Sequence, residues 1–207
     1  MPLRELAGPI GRLEALLDTP ETNVRAAVVF AHPHTEYGGT MHTKVVYQAA
    51  KALARIGCAV LRFNFRGAGA SAGSFTNGPG EIEDFRAALD FMHDRYPSAR
   101  MWAGGMSFGS YVGMTAGAAD PRVSTLIGIA LPVTRYDFAP VATSTKAKFF
   151  IHGERDEICP VREVRQFYAR CEEPKELVVI DAADHLFDGK VLEVGDAIED
   201  LLGDWSS

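Results

Sequence analysis

Apolar runs alternate with segments of helical spacing along this chain. Ala26–Ala31 is continuously apolar, the pattern of a strand covered on both faces. Between 43 and 56 the apolar positions recur at helical spacing, and Gly57 follows as a stop signal. The predicted strands are 11–17, 26–31, 58–63, 100–104, 123–131, 148–152 and 177–181, with 3–7 as an additional frayed strand. The predicted helices are 43–56, 81–95, 110–119, 160–171 and 190–202.

This alternation predicts an α/β fold: a mostly parallel sheet of about seven to eight strands between two layers of helices. The whole chain, 1–207, is expected to form one domain with a sizeable core. A glycine-rich loop is predicted over 67–80 and another loop over 132–144. The second loop is too short for a helical cap, so we expect an open site beyond the carboxyl ends of the strands.

The composition fits a protein dissolved in the cytoplasm. Hydrophobic residues make up 47% and charged residues 23% of the chain, and the net charge is -6. This acidic balance argues against nucleic acid and anionic membranes as partners. No apolar run approaches the roughly 20 residues that span a bilayer, and the first residues lack the apolar core of a signal peptide. Three widely spaced cysteines indicate a reducing compartment without a disulfide framework.

The segment 105–109 reads Gly-x-Ser-x-Gly, with Ser107 at its centre. A predicted strand precedes it and a predicted helix of small apolar residues follows it. Such a turn exposes the serine, and the flanking glycines permit it because a Cβ there would clash. The N-terminus of the helix would stabilise negative charge that develops beside Ser107, as acyl transfer requires.

A serine hydroxyl needs a base, and the base needs a third group that orients it. On such a turn the order along the chain is nucleophile, acid, histidine. Of six histidines only His152 and His185 follow Ser107, and His152 precedes the candidate acid, so His185 is the predicted base. Asp156 is the predicted acid, because its short side chain in a tight loop has little rotamer freedom. The other carboxylates considered are Glu154, Glu157, Asp181 and Asp184.

Two backbone N–H groups should face the developing oxyanion. One belongs to Phe108, and the other to the loop after the strand 26–31, where His34 is favoured and Thr35 is the second choice. Thr35, Tyr136 and Phe138 are candidates for substrate contacts. Aromatic residues at such spacing are more often part of a core.

Two patterns invite other chemistries. The loop 67–73 suggests a dinucleotide site, but its third glycine is one residue late and no helix follows directly. His32, His34 and His42 suggest zinc, but only Glu36 is a nearby carboxylate. We therefore expect no cofactor and no metal. Arg66, Glu81 and Asp84 are interpreted as braces of the glycine-rich loop.

Together these segments resemble the α/β-hydrolase superfamily over nearly the whole chain. The matching motifs are Ala31-His32-Pro33-His34, Asn64-Phe65-Arg66-Gly67 with Gly69 and Ser71, Gly105 to Gly109, His152-Gly153 with Asp156, and Asp184-His185. Within this superfamily the chain most resembles the small uncapped bacterial hydrolases that are related to the dienelactone hydrolases. Those enzymes carry a nucleophilic cysteine where this chain has Ser107. The resemblance implies an eight-stranded, mostly parallel sheet and a Ser-His-Asp triad.

The expected activity is that of a serine hydrolase that cleaves carboxylic esters of small acyl groups through an acyl-enzyme. Thioesters and small amides are alternatives, because the same groups would act on them. A non-catalytic ligand-binding protein of this fold is an alternative of another class. The expected partner is a small-molecule ester, and the oligomeric state stays open.

Overall fold

Eight strands form one sheet in the computed structural model, which describes residues 4–21 and 23–205. The strands are β1 Glu5–Gly8, β2 Gly11–Asp18, β3 Ala26–Ala31, β4 Cys58–Phe63, β5 Arg100–Met106, β6 Val123–Ile129, β7 Ala147–Gly153 and β8 Lys175–Ile180. Their spatial order is β1-β2-β4-β3-β5-β6-β7-β8. Strand β2 is antiparallel to β1 and β4, and the other neighbours are parallel.

Helices cover both faces of this sheet. They are α1 Lys44–Arg55, α2 Pro79–Arg95, α3 Phe108–Ala119, α4 Ala139–Ala142, α5 Val161–Arg170 and α6 Val191–Leu202. Apolar side chains of α1 and α6 pack in one core layer, and those of α2, α3 and α5 pack in the other. Within the described residues, no helix is both long and apolar enough to cross a bilayer.

Strand β3 shows why the central strands are apolar without interruption. Its six residues are all buried, yet successive side chains point to opposite faces. Val28 and Phe30 lie in the layer of α1 and α6, while Val29 lies in the layer of α2 and α3. The predicted three-layer α/β architecture is thus confirmed.

Several predicted boundaries differ from the structure. The strand predicted to reach Leu131 ends at Ile129, because Ala130 adopts a φ of 53° that no strand accommodates. Helix α2 begins at Pro79 rather than at Glu81, since proline fits the first helical turn. The Glu81 carboxylate then accepts a hydrogen bond from the N–H of Gly78 and caps that turn. Leu3, part of the first predicted strand, lies outside the described residues.

The segment between β6 and β7 was expected to be a loop over 132–144, but it contains the short helix α4. Asp137 accepts a hydrogen bond from the N–H of Ala139 at the start of this helix. Proline at 140 also suits a first turn. Over the described residues nothing larger is inserted here, so the carboxyl edge of the sheet carries no cap domain.

A buried ion pair fixes the glycine-rich loop after β4. The Arg66 guanidinium donates to both carboxylate oxygens of Asp84, at 3.0 and 2.8 Å, and the Arg66 N–H donates to the same carboxylate. Asp84 lies on α2 and is completely buried, and Arg66 is nearly so. The interpretation of these residues as braces of the loop agrees with this geometry.

We expect Asp84→Asn to destabilise the fold by about 3–5 kcal/mol, because it leaves the buried Arg66 charge without its counterion. Urea unfolding of the purified protein measures this loss. Glu5→Gln is the matched control, since it removes a carboxylate from the solvent-exposed pair with Arg12 and should change little. Equal effects of the two substitutions would contradict the structural role of the buried pair.

Candidate active site

Ser107 lies on a strained turn between β5 and α3. Its φ of 53° is in the left-handed region, which is rare for a residue other than glycine. A Cβ on Gly105 would lie 2.4 Å from the Gly109 carbonyl oxygen, and one on Gly109 would lie 2.4 Å from the His32 carbonyl oxygen. Only glycine therefore fits at both flanking positions, as the Gly-x-Ser-x-Gly pattern predicts.

The carboxyl edge of the sheet brings Ser107, His185 and Asp156 together. Asp156 follows β7 and His185 follows β8. The Nδ1 atom of His185 lies 2.7 Å from Oδ2 of Asp156, and its Nε2 lies 2.9 Å from Oγ of Ser107. A carboxylate only accepts, so Nδ1 carries the proton and Nε2 accepts from the serine hydroxyl. The three side chains form one hydrogen-bonded chain, as a nucleophile, base and acid require.

The Asp156 carboxylate is held by several donors besides His185. Its Oδ1 accepts from the N–H groups of Ile158 and Cys159, each at 2.9 Å. Burial raises the pKa of Asp156, but the hydrogen bond and charge of His185 and the Cys159 N–H outweigh burial, and the pKa lies below its ordinary value. Asp156 is therefore an ionised partner that can stabilise a protonated His185.

His152 supports the loop that carries Asp156. It is completely buried, and its Nε2 donates to the Cys159 carbonyl oxygen at 2.8 Å. The same Nε2 lies 3.4 Å from Oδ2 of Asp156. Burial lowers the pKa of His152, which keeps the ring neutral. The structure thus places His152, the other histidine that follows Ser107, behind the acid rather than beside the serine.

Two of the other carboxylates that the sequence offered, Glu154 and Asp184, accept hydrogen bonds from backbone N–H groups of the loop that carries His185, and a third, Glu157, lines the same cavity as Ser107. Glu154 accepts from the Ala182 N–H, and Asp184 accepts from the N–H groups of Leu186 and Asp188. These bonds fix the loop on which His185 stands. None of these carboxylates takes the place of Asp156 at Nδ1 of His185.

His32 connects two loops at the same edge. Its Nε2 accepts from the Phe65 N–H at 3.0 Å, so its Nδ1 carries the proton and donates to the Pro33 carbonyl oxygen at 2.6 Å. Both ring nitrogens are engaged, which leaves no lone pair for a metal. Among the described residues no group of three or more possible ligands is arranged to hold a metal ion.

The two amides predicted to bind an oxyanion lie at the edge of the site. Phe108 is the first residue of α3, where backbone N–H groups have no partner within the helix. His34 precedes a short 3₁₀ helix, Thr35–Tyr37. Neither N–H donates to another group within residues 4–21 and 23–205. Both residues line one cavity with Ser107, as their predicted role requires.

The cavity above Ser107 has a volume of about 280 Å³ and is mostly apolar. The buried ring of Phe108 packs behind two residues that line this cavity, with ring centroids 5.3 Å from His34 and 5.5 Å from Tyr136. Tyr136, a predicted substrate contact, lines the cavity. Burial, the main influence, lowers the pKa of the His34 ring. The wall is thus aromatic and holds an imidazole that favours its neutral form.

The structure does not bring the other two predicted contacts to this cavity. Phe138 is buried and packs against Tyr111 and Phe167, with centroids 5.8 and 5.5 Å apart. Its position at the start of α4 turns it into the core. Thr35 has a buried hydroxyl without a hydrogen-bond partner in the described part of the chain, and it does not line the cavity.

Sequence reasoning did not identify several residues of the cavity wall. They come from separate loops and have no shared spacing: Pro33, Tyr37, Pro132, Arg135, Ile158 and Leu186. A usable signal existed for two of them. Leu186 directly follows His185, and Ile158 follows Asp156 by two positions, so each is an apolar residue beside a predicted site residue in a polar loop.

Comparison with known proteins places this geometry among serine hydrolases. Residues 22–148 match the family described as serine aminopeptidase, S33. An uncharacterised protein of Rickettsia prowazekii is 35% identical over 98% of this chain and 89% of its own length. An α/β serine hydrolase homologue from Coxiella burnetii has a TM-score of 0.91 at 35% identity, covering 96% of this chain and 95% of its own. A lidless α/β serine hydrolase from Xanthomonas campestris has a TM-score of 0.88 at 37% identity, covering 97% of this chain and 92% of its own.

The neutral His32 should make the fold sensitive to acid. Burial lowers the pKa of His32 to about 4, although the bond to Pro33 acts in the opposite direction. The unfolded chain binds this proton near pH 6.5 and the folded chain only near pH 4. As the pH falls through that window, the proton uptake of His32 in the unfolded chain should therefore lower the free energy of unfolding by about 3 kcal/mol.

Urea unfolding of wild type and His32→Gln at several pH values between about 7.5 and 4.5 measures this effect. Glutamine can accept from the Phe65 N–H but does not titrate. The variant should be less stable at neutral pH and lose less stability in acid. Parallel losses in the two proteins would show that His32 does not cause the acid sensitivity.

Proposed function

The chain belongs to the serine aminopeptidase S33 family and is an uncapped α/β serine hydrolase, and from this premise we propose that it cleaves carboxylic esters of small acyl groups. Ser107 is the nucleophile, His185 the general base and acid, and Asp156 the group that orients His185. The N–H groups of Phe108 and His34 bind the oxyanion. The reaction consumes an ester and water and releases a carboxylic acid and an alcohol.

The proposed reaction has two halves. Oγ of Ser107 attacks the ester carbonyl carbon while its proton passes to Nε2 of His185, 2.9 Å away. The negative charge on the carbonyl oxygen is held by the two amides. His185 then returns the proton to the leaving oxygen, the carbon–oxygen bond breaks, and the alcohol departs. Water attacks the acyl-enzyme in the same way, and Ser107 regains its proton as the acid leaves.

The continuous hydrogen-bonded chain from Ser107 through His185 to Asp156 carries this proposal. Its two bonds, at 2.9 and 2.7 Å, fix the tautomer of His185 that a general base needs. Each of the three residues is no more than 8% exposed, so the pair of charges that forms during attack is shielded from water.

The shape of the site favours a small acyl group. The cavity of about 280 Å³ is at the lower limit of ordinary ligand pockets. Its aromatic wall around Phe108 suits a short or flat apolar acyl chain. The lack of a cap over the described residues leaves the mouth open, which suits esters whose remainder projects into solvent.

Amides and thioesters are the related alternatives, because the same three side chains serve them. The family description names an aminopeptidase, and a peptide amide has a poorer leaving group than an ester. Assays of 4-nitroanilides of amino acids beside 4-nitrophenyl esters separate the amide alternative from the ester proposal. A preference for the anilides by kcat/KM would overturn the ester proposal.

We also propose that the enzyme works in the cytoplasm. Cys58, Cys159 and Cys171 are buried, and their thiols are free. Such thiols suit a reducing compartment.

A fluorophosphonate should label Ser107, with a new bond from Oγ to phosphorus and release of fluoride. Intact-mass and peptide analysis should find one adduct on wild type and none on Ser107→Ala. Ser74→Ala, which alters an exposed loop serine, should label like wild type. A folded wild-type protein that forms no adduct would refute the proposed nucleophile.

Asp156→Asn should lower kcat for 4-nitrophenyl acetate by about 10³–10⁴-fold, because the amide no longer stabilises protonated His185. Glu154→Gln is the matched control, since Glu154 supports the same region but does not contact His185. Initial rates on the two purified variants measure the difference. Activity of Asp156→Asn equal to that of the control would remove Asp156 from the mechanism.

A further inference from the structure

Exposed apolar side chains concentrate at the mouth of the cavity above Ser107. Of the six large hydrophobic residues that are exposed in the described part of the chain, three line this cavity. They are Tyr37, Ile158 and Leu186. Single exposed apolar residues are ordinary, but a cluster at the opening of a site indicates contact with an apolar ligand.

Two of these three residues lie on the side of the general acid. Leu186 directly follows His185 and is 53% exposed. Ile158 is 37% exposed, and its N–H donates to Asp156, the carboxylate that holds His185. The backbones of both residues are therefore tied to His185 or to the carboxylate that orients it, and both residues line the cavity. Tyr37 lies elsewhere, since it packs on His34 with ring centroids 4.6 Å apart.

The chemistry of ester cleavage divides the cavity into two sides. His185 must protonate the leaving oxygen, so the alcohol part of the substrate has to lie beside Nε2 of His185. The acyl carbonyl has to point its oxygen at the amides of Phe108 and His34, so the acyl chain takes the remaining direction at the tetrahedral carbon. The alcohol therefore belongs to the side of Leu186 and Ile158, and the acyl chain belongs to the rest of the cavity, which Tyr136 lines.

We propose that Leu186 and Ile158 form a subsite for the alcohol part of the ester, and that it selects apolar alkyl or aryl alcohols. This inference rests on the proposed function and adds the class of leaving group. An apolar alcohol covers both side chains when it binds, which removes their exposed surface from water. A methyl ester is too short to cover them and gains nothing from the subsite.

Two series of esters test the subsite on the purified full chain. One keeps acetate and lengthens the alcohol from methyl to hexyl; the other keeps methanol and lengthens the acid from acetate to hexanoate. Acid release at constant pH gives kcat/KM for each ester. In wild type we expect kcat/KM to rise about tenfold or more from methyl to hexyl acetate, as burial of several methylenes on the subsite predicts.

Leu186→Ala should lower kcat/KM for hexyl acetate about five- to tenfold more than it lowers kcat/KM for methyl acetate. The methyl esters of longer acids should keep their wild-type profile. Leu186→Met, which keeps an apolar side chain of similar volume, should restore most of the preference for hexyl acetate. Leu192→Ala is the control, because Leu192 is 70% exposed on α6 and does not line the cavity.

The outcomes separate this inference from the proposed function. Ester hydrolysis that depends on Ser107 but has the same alcohol-length profile in wild type and Leu186→Ala overturns the subsite alone. A change of the acid-length profile instead assigns Leu186 to the acyl group and also overturns it. Equal losses on all esters, as a displaced His185 would cause, also overturn the subsite. A lack of any Ser107-dependent hydrolysis overturns the proposed function together with the subsite.

Discussion

The close approach of two backbone segments at Ser107 is the constraint on which the rest of the site depends. Gly109 packs against the carbonyl oxygen of His32, and Gly105 packs against Gly109, at distances that exclude any Cβ. This contact brings the loop after β3 directly against the N-terminus of α3. His34 and Phe108 consequently line the same cavity as the serine. The strained φ of Ser107 persists because the sheet on one side and the helix on the other hold it.

Buried polar groups around this turn are each held in one protonation state. His32 is neutral because it is buried, and its Nε2 accepts from a backbone N–H; Asp156 is ionised because several donors and His185 face it. An unpaired buried polar group is costly, so these bonds make the loops rigid as well as stable. His185 contacts both the ionised acid and the serine, and the rigid loops keep it at hydrogen-bond distance from both.

Most of the strands and helices could be predicted from the sequence. A strand buried on both faces needs a continuous apolar run, and an amphipathic helix needs apolar residues that recur at helical spacing. The errors lie where a local contact outweighs the pattern. Strand β6 ends before its predicted end because the backbone of Ala130 has a positive φ. Helix α2 begins before its predicted start, and the Glu81 carboxylate caps its first turn. Helix α4 was missed because four residues are too few to show a helical repeat.

The sequence by itself determined the class of fold, the candidate nucleophile and the order in which acid and histidine follow it, since motifs on a regular alternation of elements carry that information. Only the tertiary structure decided which side chains surround the reaction. Tyr136 and Phe138 are two positions apart, yet one lines the cavity and the other packs in the core. Leu186 and Ile158 come from different loops. Both lie at the site because His185, which precedes Leu186, and the Ile158 N–H each contact Asp156. Loop conformations follow from contacts between distant segments, and no periodicity along the chain encodes those contacts.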